Sequence, residues 1–315
     1  LALKPSALIE LHLHLEGSIY PYEAYRLCLK NKIPCSSEMF FHKDFESFLK
    51  HFGVSVSLLK EKEDLAFILQ NHLKRLKSWG VVYAEIRISP SVWEYFGLNA
   101  EETAKFLFSL NFDNCPKFNF IVESVRHWDI KLLERDFLIA VKNKERVKGF
   151  GLGGNEILAP IEQFQFLFEE CKKNGIAFIP HCGEVSSSDE VLKAVEYGAK
   201  RIGHGIKSYK SEMVMRKLKE SNVHLEICST SNFITGAVEK NSVHPLKIFY
   251  EKGIEFSVST DDPGLFLTTI KKELFFAGKL LEDKNEALLK IQKDALKASL
   301  QTQKEKEIIF TKYYA

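Results

Sequence analysis

The run Leu8-Ile9-Glu10-Leu11-His12-Leu13-His14-Leu15 is short, largely apolar, and closes on two histidines. It has the length and composition of a β-strand, and residues two apart on a strand point to one face, so both imidazoles project together. The same plan recurs down the chain. Apolar runs at 81–89, 118–126, 147–154, 176–184, 201–205, 224–232 and 254–262 complete a set of eight. Longer helix-period stretches at 100–110, 161–174, 188–197, 212–221 and 245–252 separate them, several closing on Asn or Gly as helix C-termini do. Alternating strands and helices imply a parallel sheet, either open and doubly wound or closed into a (β/α)8 barrel.

The position of the polar residues decides between the two. Nearly every run ends in a group that a purely structural strand does not need: His12 and His14, Arg87, Arg126 and His127, Gly153 to Glu156, His181 to Glu184, His204, Ser229 to Asn232, and Asp261-Asp262. Side chains from so many strand ends converge only if the strands close into a ring with one mouth, so the expected fold is an α/β (β/α)8 barrel formed as one domain, 1–315. The first connection exceeds seventy residues and therefore carries extra helices over that mouth. Within it, Phe45, Phe48, Leu49 and Phe52 recur at helical spacing, which fits either an apolar lid or a surface helix packed on the body. Past Asp262 the pattern is helical, from Thr268 to about Tyr313.

Composition removes several other roles. The 315 residues hold 44 Lys plus Arg against 42 Asp plus Glu, a net charge of +2, without the basic excess of a nucleic-acid binder. No apolar run reaches the roughly 18–20 residues of a membrane span. Six cysteines, Cys28, Cys35, Cys115, Cys171, Cys182 and Cys228, show no paired spacing, which fits neither a disulfide framework nor a thiolate zinc site. With a first strand starting near Leu8, no signal peptide is expected, and the expected compartment is the cytoplasm.

An HxH pair alone is weak evidence for a metal, because two strand histidines can simply bond to backbone. His181, His204 and Asp261 each close another strand, and this donor set suits zinc. Three nitrogens and a carboxylate leave room for a water, whose pKa zinc lowers toward about 7. Glu184, three residues beyond His181, is an acid that burial near an apolar lid would keep protonated, or else a helix-entry carboxylate. Asp261-Asp262 precedes Pro263 as a helix N-cap would. On one strand end the two carboxylates point to opposite sides, one toward metal and its neighbour toward substrate.

With these segments assembled, the chain resembles the adenosine deaminase family, zinc-dependent purine deaminases of the amidohydrolase superfamily. The resemblance rests on Glu10-Leu11-His12-Leu13-His14-Leu15-Glu16-Gly17-Ser18, on residues 82–90, on Gly151-Leu152-Gly153-Gly154-Asn155-Glu156, on the His181 to Glu184 stretch, on Arg201-Ile202-Gly203-His204-Gly205, on Cys228-Ser229-Thr230-Ser231-Asn232 and on Ser259-Thr260-Asp261-Asp262-Pro263. It implies one zinc ion per chain held by His12, His14, His181 and Asp261. It implies that Glu184 protonates N1 of a 6-aminopurine, that His204 orients the zinc-bound water and assists its deprotonation, that Asp262 bonds N7, and that the Gly154 N–H meets N3. Attack of zinc-bound hydroxide at C6 then releases ammonia, converting adenosine to inosine.

Substrate clues within the family disagree. Many adenosine-specific members carry Asp two residues after the second histidine, against the ribose 5′-hydroxyl, where this chain has Glu16. Adenine deaminases often have Glu there but tend to carry Asp before the sixth-strand histidine, where this chain has Gly203. A 5′-modified adenosine such as aminodeoxyfutalosine also fits, with Arg126 and His127 either on the extension or structural at the rim. Outside these readings stand a two-metal amidohydrolase, for which only Glu156 could bridge at the end of strand four, and a metal-binding protein without catalysis. The expected partner is a small purine, with no nucleic acid and no membrane.

Overall fold

A computed structural model describes residues 7–282 and 284–315. The eight strands are β1 (Leu8–His14), β2 (Val81–Ile88), β3 (Lys117–Val125), β4 (Val147–Gly153), β5 (Ala177–Cys182), β6 (Arg201–His204), β7 (His224–Ile227) and β8 (Phe256–Val258). They pair in sequence order, each parallel to the next. An isolated parallel bridge, Leu13 to Asp261, joins the last segment to the first. There the Asp261 N–H donates to His12 O and its carbonyl accepts from the His14 N–H, both at 2.8 Å. The ring expected from the sequence is the ring observed, and it closes at three residues expected to do chemistry.

The helices are α1 (Pro21–Asn31), α2 (Phe45–Ser57), α3 (Lys62–Trp79), α4 (Pro90–Tyr95), α5 (Ala100–Ser109), α6 (Ile130–Lys142), α7 (Gln165–Asn174), α8 (Ser188–Glu196), α9 (Glu212–Glu220), α10 (Ser229–Ile234), α11 (Leu246–Lys252), α12 (Ile270–Leu280), α13 (Lys284–Ala298) and α14 (Gln303–Tyr313). Their apolar faces pack on the outer face of the sheet, as with Leu65, Ile68, Leu69, Leu73 and Leu76 of α3 in the main core. β1 and β6 are buried along their whole length, polar residues included, because their polar side chains meet partners inside the ring. No helix among the described residues is long and apolar enough to cross a membrane.

Three differences from the sequence expectation have local causes. The run at 224–232 is strand only to Ile227, because Ser229-Thr230-Ser231-Asn232 turns into α10. The run at 254–262 is strand only to Val258; beyond it the chain turns at Asp261, which adopts a left-handed φ of 64°. The helical tail is three helices, α13 ending where Ser299 Oγ bonds back to Leu296 O and α14 starting from a Thr302–Glu305 capping box. Asp283, within that expected helix, and residues 1–6 lie outside the described residues. The extra helices between strands one and two are present, and Phe45, Phe48, Leu49 and Phe52 lie on α2, whose start is capped by the Asp44 side chain on the Ser47 N–H.

Candidate active site

The C-terminal ends of the strands surround a cavity of about 340 Å³. His14, Glu123, Gly153, Gly154, His181, Glu184, His204, Asp261 and Asp262 form its polar floor and walls, and Phe45, Phe48, Leu49 and Phe52 of α2 cover it. The lid and the packed helix are one object: Phe48 also packs against Leu265 and Phe266 of the segment after β8.

His12 and His14 leave β1 on the same side, and β5–β6 pairing sets Cys182 opposite His204. The His12, His181, His204 and Asp261 donor atoms gather within 4.8 Å of one another, all buried. His14 joins them through Asp261, whose Oδ1 lies 3.2 Å from His14 Nε2 and 3.4 Å from His12 Nε2. Donors sharing one tetrahedral zinc at about 2.0–2.2 Å stand roughly 3.3–3.5 Å apart, so this spacing fits a common ion.

Tautomers separate the histidines. His12 donates from Nδ1 to Glu226 Oε2 at 2.7 Å, which leaves Nε2 as a bare lone pair, buried without a partner. His204 receives Asn232 Nδ2 on its Nδ1 at 3.2 Å, so its hydrogen sits on Nε2, 3.6 Å from Glu184 Oε2 and 3.9 Å from Asp261 Oδ2. A ring with hydrogen on the inward nitrogen is a donor rather than a ligand. His204 also sits at a left-handed φ of 59°, a conformation unusual for a side-chain-bearing residue and typical of functional sites.

The carboxyl groups split by environment. Burial, reinforced by Asp261, Glu156 and Asp262, pushes the Glu184 carboxyl well above the usual range. Burial and neighbouring Asp261 do the same to Asp262. Asp261 goes the other way: burial opposes its charge, but the imidazoles gathered around it, His12, His14 and His204, hold it well below. Burial drives the His204 imidazole down to about 3, so it is neutral. Burial thus disfavours ionisation of Glu184 and Asp262, while the ring of imidazoles favours the anion of Asp261. Asp262 Oδ1 is buried with no partner.

Other expected residues fall differently. Glu16 is fully buried and does not line the cavity; its Oε1 accepts the Ser89 N–H at 2.8 Å and the Trp93 Nε1–H at 2.6 Å. Arg126 is structural, donating to Glu190 Oε1 at 3.1 Å and to the His181 carbonyl at 2.9 Å, whereas His127 lines the cavity. Glu156 accepts the Gly183, Glu184 and Ser186 N–H groups and so shapes the turn that presents Glu184. Two carboxylates escaped sequence reasoning, Glu123 and Glu226. The available signal was a lone acid inside a short apolar strand, as in Phe120-Ile121-Val122-Glu123 and His224-Leu225-Glu226-Ile227.

The adenosine deaminase family model matches residues 7–315. Aminodeoxyfutalosine deaminase of Streptomyces avermitilis is 29% identical, aligning 92% of this chain with 85% of its own length. Adenosine deaminase of Haemophilus ducreyi is also 29% identical, over 87% of this chain and 86% of its own. Among solved structures, adenine deaminase of Arthrobacter aurescens superimposes with a TM-score of 0.88 at 25% identity, covering 97% of each chain.

Proposed function

Because the chain belongs to the adenosine deaminase family, a family of purine deaminases, we propose that it hydrolyses a 6-aminopurine nucleoside at C6, in the simplest case adenosine to inosine and ammonia. The observation that carries this is the gathering of three buried carboxyls, Glu184, Asp261 and Asp262, with His14, His181 and His204 around one cavity, where burial raises the first and last above the usual carboxyl range. A purine ring offers acceptors at N1 and N7, and neutral carboxyl groups are donors. Glu184 gives its proton to N1, which makes C6 electrophilic, and Asp262 donates to N7. Gly154 offers its N–H to N3, and α2 excludes bulk water.

His12, His14, His181 and Asp261 would hold the zinc ion. Bound there, zinc supplies a water of lowered pKa and offsets charge that develops in the transition state. His204 directs its Nε2–H toward the reacting oxygen, and Asn232 fixes that orientation.

A second reading, a nucleoside enlarged at the 5′ end, draws support from Glu16. That acid is committed to Ser89 and Trp93, and the cavity mouth is apolar, with Tyr95, Phe96 and Trp128. No Lys or Arg lines the cavity among the described residues, which disfavours a 5′-phosphate. Gly203 argues against the arrangement of adenine deaminases: a Cβ there would stand 3.0 Å from His12 Cε1, so an Asp side chain would press on the ring.

The test follows loss of adenine-band absorbance in parallel for adenosine, 2′-deoxyadenosine, adenine, 5′-methylthioadenosine and aminodeoxyfutalosine, on protein of known zinc content. Turnover of a nucleoside well above adenine is the expected result. Preference for a 5′-substituted nucleoside would select the second reading, and no turnover of any aminopurine by zinc-loaded protein would overturn both.

A further inference from the structure

Glu123 is a buried carboxylate in the cavity floor that the chemistry above does not use. Its Oε2 accepts from Arg87 Nη1 at 2.7 Å and lies 3.3 Å from His181 Nδ1, a buried nitrogen with no other partner. Its Oε1 lies 3.6 Å from His14 Nδ1. One side chain of β3 therefore faces the rear nitrogens of two imidazoles, one on β1 and one on β5. The space for it comes from β4. A Cβ at Gly151 would stand 2.7 Å from Arg87 Nη1 and 2.8 Å from Glu123 Oε2, and one at Gly153 would stand 2.5 Å from Glu123 Oε1. The two glycines form a niche that any larger residue would fill.

An imidazole presents a lone pair at one nitrogen only when its hydrogen sits on the other, and a carboxylate behind the ring fixes both tautomer and ring angle. His12 has such a partner in Glu226. We propose that Glu123 is the corresponding positioning residue for His14 and His181, accepting their Nδ1–H groups so that both Nε2 atoms turn toward Asp261. This rests on the zinc site described above and adds to it the group that orients two of its four ligands. Arg87 ties the two orienting carboxylates together, with Nη1 on Glu123 and Nη2 on Glu226 at 2.8 Å. His14, Glu123 and His181 also gather closely enough to hold a metal themselves. An ion there would sit beside the Arg87 guanidinium, and that repulsion favours the positioning role over a second metal.

The experiment measures zinc per chain and the zinc dissociation constant, by chelator competition, for the wild-type protein and for Glu123→Gln, with circular dichroism of the metal-free proteins as the folding control. Expected is one zinc per chain in both, with binding about 10–100-fold weaker in the variant. Gly153→Ala, which keeps the carboxylate and the Arg87 pair but pushes on Oε1, weakens zinc in the same direction and serves where Glu123→Gln does not fold. Zinc affinity within twofold of wild type in a folded variant, even one less heat-stable, overturns the proposal. Two zinc ions in the wild type and one in Glu123→Gln would make Glu123 a ligand and also overturn it. A wild type that binds no zinc overturns the zinc reading itself, a result distinguishable from failure of Glu123 alone.

Discussion

At position 184 burial and three neighbouring acids push the carboxyl well above the usual carboxylate range, and the proposed proton transfer to N1 depends on that shift. Glu184→Gln keeps the shape and the contact with Thr235 Oγ1 but has no proton to give. Its turnover is expected to fall by about 10²–10⁴ with zinc content unchanged, measured by steady-state kinetics beside metal analysis. Near-normal turnover would remove Glu184 from the acid role. The neighbouring pair Asp261-Asp262 shows how finely residue identity and position interact. The left-handed turn at Asp261 sends adjacent side chains to different tasks, one to the histidines and one to open cavity.

Among the elements, α2 carries the most function for its length. Its N-terminus is fixed by the Asp44–Ser47 capping box, and His42 Nε2 meets the Leu265 carbonyl at 3.2 Å, tying the approach to α2 to the segment after β8. Phe52 contributes apolar wall to the cavity and is only partly buried before a ligand arrives. Phe52→Ala should therefore raise KM on the order of tenfold, about 1.4 kcal/mol of lost apolar contact, with a smaller effect on kcat. An unchanged KM for the best nucleoside would show that α2 does not touch substrate.

At the scale of the whole molecule, the barrel interior is a network of charges rather than apolar layers alone. Arg201 donates to Glu226 Oε1 at 2.8 Å and to Glu85 Oε2 at 2.6 Å, linking β2, β6 and β7 beneath the site. Arg201→Met would leave two buried carboxylates short of a partner, and is expected to destabilise the fold by about 3–5 kcal/mol in denaturant unfolding. A loss below about 1 kcal/mol would mean the network relaxes around the gap. Acid should unfold the molecule through its buried histidines. Burial lowers His72, His224 and His244 to about 3. Their folded values lie below the unfolded 6.5, so their contribution is complete above that pH and is lost as pH falls from 6.5 toward 3. The melting temperature should drop across that window, and His72→Phe should flatten the drop. A melting temperature constant from pH 7 to 4 would contradict this.

Much of the protein was legible in the chain, and the reasons are physical. Strand and helix periods are local, so eight strands, the lid helix and the polar strand ends could be read from residues such as His12, His14, His181 and Asp261 without their neighbours in space. What lies behind those residues could not. The tautomers of His12 and His204 depend on Glu226 and Asn232, which are distant in sequence, and Glu16 is withdrawn from the cavity by Ser89 and Trp93 on the next strand's exit. Glu123 faces two imidazoles only because Gly151 and Gly153 of the adjoining strand leave it room. Which groups stand at the mouth is written in the local pattern of the chain, because side-chain direction follows from backbone period. Their charge and orientation come with closure of the ring, because burial and hydrogen-bond partners are set by segments that meet there.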